Sequence, residues 1–137
     1  VTSTHIDRET PPPAILPGHH TVVLTPYGSL FFASASVFES QLPRVEATST
    51  SSVVVISMRG KEDLGATFIT IMLRYHDSLQ TVGSHLVLTG LSERVHAQLH
   101  RTGALERLGR DNIFAATPRI GESLKAGLQR AQTLLGQ

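Results

Sequence analysis

Neither cysteine nor tryptophan occurs in the 137 residues, and aromatic residues make up only 5% of the chain. Without cysteine there is no disulfide framework, no thiolate nucleophile and no cysteine-based zinc site. That fits a reducing compartment without requiring one. Charge of one sign is scarce too. Twelve Lys and Arg stand against eleven Asp and Glu, for a net charge of +1, so the basic surplus that drives phosphate binding is missing and nucleic acid is not an expected partner. No apolar run approaches the length of a membrane span, and no signal peptide opens the chain. No P-loop or GxGxxG follows any strand, and neither a GxSxG elbow nor an HExxH pair is present. These absences leave the pattern of strands and helices as the informative content.

That pattern is strong. Hydrophobic residues are 40% and charged residues 17% of the sequence, an ordinary globular composition for one domain with a buried core. The chain is organised around 53–83. Val53-Val54-Val55-Ile56 is a β-branched run suited to a strand buried on both faces, and the polar turn Arg59 to Asp63 follows it. Phe68, Ile69, Met72, Leu73, His76 and Leu79 then recur at helical spacing over about 64–82, and Gly83 stands where that helix should end. Strand, turn and helix make the first half of a parallel βαβ unit, with the turn at the C-terminal edge of the sheet, where α/β proteins usually place their functional surface.

Around this centre the rest falls in order. Residues 1–20 hold four of the seven prolines and no hydrophobic periodicity. They read as a proline-rich linker from an upstream domain, or as a disordered chain end. The chain begins at Val1 rather than Met, so a domain cut from a longer protein is expected. Residues 21–25 and 30–32 predict two strands joined as a hairpin, and Ser36 with Glu39 forms a capping-box pattern opening a short helix to Leu42. The Ser/Thr run 47–52 reads as a solvated loop. A buried strand over 84–89, a helix from Glu93 to Arg101, a core plug from Leu105 and Leu108, and a strand over 112–116 follow. The last helix starts at Thr117-Pro118, with Ile120, Leu124, Leu128, Ala131 and Leu135 as its buried stripe. The fold class is α/β, ordered β-β-α-β-α-β-α-β-α, with a central, mostly parallel sheet flanked by helices.

Candidate chemistry is thin. His96 and His100 stand at i and i+4, but no third ligand is evident, so they read as surface histidines and no metal or cofactor is expected. His76 and His85 read as packed structural residues. Glu62 and Asp63 suit a helix N-terminus better than a catalytic pair. No catalytic residue is assigned, and no enzyme is expected. The best ligand position is the helix start: the small residues Gly65, Ala66 and Thr67 leave backbone amides open to an anion or nucleotide, with Arg59 and Lys61 nearby and Asp63 opposing. The alternatives there are a structural turn or a protein-docking surface.

In sequence the chain resembles the STAS domain (sulphate transporter and anti-sigma-factor antagonist), and within that group the C-terminal domain of SulP anion transporters. Gly28-Ser29-Leu30-Phe31-Phe32-Ala33-Ser34-Ala35 resembles the family's opening segment, and Val53–Met58 followed by Asp63-Leu64-Gly65-Ala66-Thr67 its Asp-containing turn into a helix. Gly83-Ser84-His85-Leu86-Val87-Leu88-Thr89-Gly90 and Ile113-Phe114 are similar to its later strands. The likeness covers roughly residues 20–135.

It implies a STAS (anti-sigma-factor-antagonist-like) fold over 21–137, at the cytoplasmic face of a membrane and tethered to an integral membrane protein. The role it implies is regulation, assembly or partner binding in a sulphate-type transporter. The partners it implies are the transmembrane domain of the same polypeptide, a second STAS domain or a soluble protein, and a weakly bound nucleotide or anion. The site it implies is Arg59, Lys61, Asp63, Leu64, Gly65, Ala66 and Thr67, with Gly90. Soluble anti-sigma-factor antagonists carry a phosphorylated Ser in this turn. Leu64, Gly65 and Ala66 have no hydroxyl, which disfavours that switch here. A free-standing antagonist and a small nucleotide- or anion-binding module remain the alternatives.

Overall fold

The computed structural model describes residues 2–5, 15–24, 39–40, 42–58, 66–117 and 122–135. Its strands are β1 (Thr2–His5), β2 (His20–Leu24), β3 (Val53–Ser57), β4 (His85–Leu91) and β5 (Ile113–Ala115). They form one five-stranded sheet in the order β1-β2-β3-β4-β5, and every described pairing is parallel. The helices are α1 (Ala66–Thr81), α2 (Glu93–Arg101), the short α3 (Ala104–Leu108) and α4 (Glu122–Leu135), with a 3-10 turn over Arg110–Asn112.

The β-branched run of β3 is buried at all five positions. Its alternation feeds two cores. Val54 and Ile56 join Val22, Leu24, Leu86 and Leu88 beneath α1, α2 and α3, while Val53 and Val55 join Val23 and Val87 beneath α4. A strand covered on both faces has no polar side to show, so its sequence is apolar throughout rather than alternating. α1 turns Ile69, Ile71, Met72, Tyr75, His76 and Leu79 inward and ends before Gly83. α2 has the predicted span, capped by Ser92, whose Oγ accepts the Val95 N–H at 3.2 Å. Leu105 and Leu108 plug the core.

Four expectations need amending. Within 1–20, expected as a linker, the described stretches 2–5 and 15–20 make contacts with the fold: Thr2–His5 pairs with β2, and Leu16 is fully buried with its N–H on the Arg44 carbonyl at 2.9 Å. Proline bars a helix there but not an extended strand or an anchored apolar side chain. The expected hairpin partner at 30–32 lies outside the described residues, but both edges of β2 are occupied by parallel strands.

The Ser/Thr run is not simply solvated, since Ser49 and Ser52 are fully buried. Ser49 Oγ donates to the Leu16 carbonyl at 2.6 Å, Ser52 Oγ to that of Pro17, and Ser84 Oγ to that of Ser49, both at 2.5 Å. These hydroxyls occupy carbonyls that burial would otherwise leave unpaired. In α4 the buried line is Ser123, Gly127, Ala131 and Leu134. Leu124, Leu128 and Leu135 pack at its sides, half-buried. Small residues at the contact let the helix approach the sheet closely, and the leucines flank it.

Candidate functional site

β3 ends at Ser57, and Met58 continues the hydrogen bonding by donating its N–H to the Thr89 carbonyl at 2.7 Å. The chain returns to described structure at Ala66, the first residue of α1. Arg59, Lys61, Asp63, Leu64 and Gly65 lie outside the described residues. Ala66 and Thr67 are both exposed in the first turn of α1, and that turn carries no acidic residue. Further along the helix, Thr70 Oγ1 donates to the Ala66 carbonyl at 3.0 Å. The outward face of α1 is thus small and polar at its start.

Gly90 does not belong to that surface. It is buried within β4 at φ +71°, where the register with β5 shifts between Leu88 and Leu91. A positive φ at a bulge favours glycine because a Cβ would crowd the backbone. Its N–H is committed to Ser123 Oγ at 2.7 Å, and that hydroxyl in turn donates to the Phe114 carbonyl at 3.1 Å. Gly90 is therefore a structural hinge between β4, β5 and α4, with no amide left to offer a ligand.

The histidines divide by burial. His96 is half-buried and His100 exposed, and among the described residues no group of three His, Asp or Glu is placed to hold a metal ion. His76 is buried on α1, and its Nδ1 has no hydrogen-bond partner among the described residues. Desolvation lowers its pKa from the ordinary value; the Asp77 charge opposes the shift, the Arg107 charge reinforces it, and a hydrogen bond to the Arg107 backbone opposes it. His85 is lowered likewise, first by desolvation and then by the Arg130 charge. Beside His76, Arg107 of α3 pairs with Asp77 of α1 at 2.6 Å. Both side chains are more than half exposed, so the pair adds little stability.

Sequence reasoning passed over a groove on the same helix. The segment 42–45 runs beside α1 and borders an open groove of about 430 Å³, lined in part by Leu42, Arg44, Val45, Ile71, Arg74 and Tyr75. Tyr75 is buried, and its hydroxyl donates to the Pro43 carbonyl at 2.7 Å, fixing that segment to the helix. Burial pushes the Tyr75 phenol well above its ordinary pKa, so it remains a donor. Tyr75 stands three residues after Met72, within the apolar stripe, which was the available signal.

The model of the STAS domain family matches residues 12–119. The chain belongs to the STAS domain family. Among solved structures, a sulfate transporter family protein from Wolinella succinogenes is similar over 90% of this STAS domain and 93% of that chain, at 24% identity and a TM-score of 0.67. The SulP transporter STAS domain from Vibrio cholerae is similar over 82% of this chain and 84% of its own, at 19% identity and a TM-score of 0.52. At these identities the likeness is one of fold. No curated protein sequence matches the chain. The α/β architecture with its parallel sheet is that of the STAS fold, as the resemblance implied. Among the described residues of this STAS domain, no helix is long and apolar enough to cross a membrane.

Proposed function

We propose that this STAS domain is the cytoplasmic regulatory or assembly module of a SulP-type anion transporter, and that it works by contact rather than by chemistry. The observation that carries the reading is the start of α1: Ala66 and Thr67 are small and exposed in the helix's first turn, just beyond the C-terminal edge of the sheet. A small, uncovered helix end suits the approach of another protein surface. Its neighbours in sequence, Leu64 and Gly65, supply no hydroxyl for a phosphorylation switch. The transporter setting draws support from the two solved relatives, described as a sulfate transporter family protein and as a SulP transporter STAS domain. The partner is the membrane domain of the same polypeptide, which puts the STAS domain on the cytoplasmic face.

The test is Ala66→Arg in the full-length polypeptide that carries this chain. A long cation at an exposed position leaves the domain folded and obstructs docking, so transport or assembly falls while the isolated domain keeps its unfolding midpoint. Normal transport and assembly by the variant would rule out this surface.

A further inference from the structure

The groove between the segment 42–45 and α1 lies well along the helix from the surface assigned above, and what it offers is chemically specific. Its apolar lining comes from Leu42 and Val45, both partly buried against the core, and from Ile71, which is buried. Two guanidinium groups stand at its rim. Arg44 uses Nε to reach Glu46 at 2.8 Å, and Arg74 uses one Nη to reach Glu39 at 3.0 Å. A guanidinium carries five N–H donors in a fixed fork. Among the described residues Arg44 therefore keeps both Nη groups uncommitted, and Arg74 keeps Nε and its other Nη. That geometry matches a carboxylate.

The backbone of the segment is not available in the same way. The Pro43 carbonyl accepts from Tyr75, the Arg44 carbonyl accepts from the Leu16 N–H, and the Leu42 N–H donates to Glu39. An extended peptide adding itself as a strand would find these groups taken. The side chains and the apolar lining remain, and a volume of about 430 Å³ is of small-molecule size.

We propose that this groove binds a small amphipathic carboxylate, its head group on Arg44 and Arg74 and its short apolar body on Leu42, Val45 and Ile71. The side chains of Arg44 and Arg74 are 69% and 64% exposed, so solvent screens the charge and the affinity is modest. For a ligand of octanoate's size a dissociation constant on the order of 1–10 mM follows.

The experiment is an NMR titration of the 15N-labelled 137-residue chain with sodium octanoate, 1-octanol and sodium acetate in parallel. Octanoate is expected to give saturable shifts at the amides of Arg44, Val45, Ile71, Arg74 and Ser78, and to bind about tenfold more tightly than either partial ligand. Replacing both cations, Arg44→Gln with Arg74→Gln, weakens octanoate about tenfold and leaves octanol unchanged. Glu39→Gln, which removes the competing carboxylate, tightens it. Octanol binding as well as octanoate, acetate binding as well as octanoate, shifts that do not saturate or fall elsewhere, or an indifferent double variant would each overturn the proposal. Should the double variant lose its fold, the three-ligand comparison on the unchanged chain still decides.

Discussion

Gly127 of α4 lies directly against Thr89 of β4: a Cβ built at position 127 would stand 2.3 Å from the Thr89 Cγ2. Thr is stiff at χ1 and Thr89 is fully buried in the sheet, so the methyl has nowhere to turn. Gly127→Ala gains helix propensity but overpacks the contact, for a net loss of about 1–2 kcal/mol. Adding Thr89→Ser removes the methyl and recovers most of that loss. Urea unfolding of the two single variants and the double variant measures the coupling. A Gly127→Ala chain more stable than the parent would refute this packing.

Ser84 joins the Ser/Thr segment to the start of β4. Its Oγ donates to the Ser49 carbonyl at 2.5 Å and accepts the Ser52 N–H at 2.9 Å, all in the interior. Ser84→Ala strands both backbone groups without water, at a cost of about 2 kcal/mol. Thr133→Ala, which removes an exposed hydroxyl bonded within its own helix, serves as the control and changes stability by less than about 0.5 kcal/mol. Equal midpoints in denaturant for the two variants would contradict this role for Ser84.

Tyr75→Phe keeps the ring and deletes the hydroxyl that holds the Pro43 carbonyl. The expected loss is about 1–2 kcal/mol, with faster amide exchange over 42–46 than over β3. Unchanged exchange in that segment would show that the tether does not hold it.

Stability should fall on mild acidification. His76 and His85 both have pKa values lowered from 6.5 by burial, so below that value the unfolded chain takes up protons that the folded chain resists. The stability they contribute is fully present above pH 6.5 and declines as the pH drops from there toward their folded values. Unfolding midpoints at a series of pH values between 7.5 and 5 would follow the decline. His76→Leu removes one of the two contributions and leaves that of His85, so the decline becomes shallower. A variant with the full original slope would acquit His76.

Much of this architecture was legible because its signals are local. The Val53–Ile56 run, the Gly83 that follows α1 and the spacing of Ile69, Met72, His76 and Leu79 each act within a few residues. Periodicity and capping chemistry are written at that range. At the start of α1 the small Ala66 and the polar Thr67 are exposed.

Tertiary structure decided the rest. Whether Ser49, Ser52 and Ser84 are solvated or buried depends on partners up to 35 residues away. A hydroxyl is tolerated inside only when such a partner arrives. The Tyr75–Pro43 tether spans 32 residues and creates the groove that no local pattern announces. Gly90, named by the resemblance as a site residue, sits in a buried bulge with its amide taken by Ser123 from 33 residues downstream. In α4 the leucines carry the stronger hydrophobic signal, yet Ser123, Gly127 and Ala131 take the buried line. The sheet admits the helix only at a distance where small side chains fit. Composition and periodicity determined that this chain makes an α/β domain; which faces close and which stay open was settled by contacts between residues far apart in the chain.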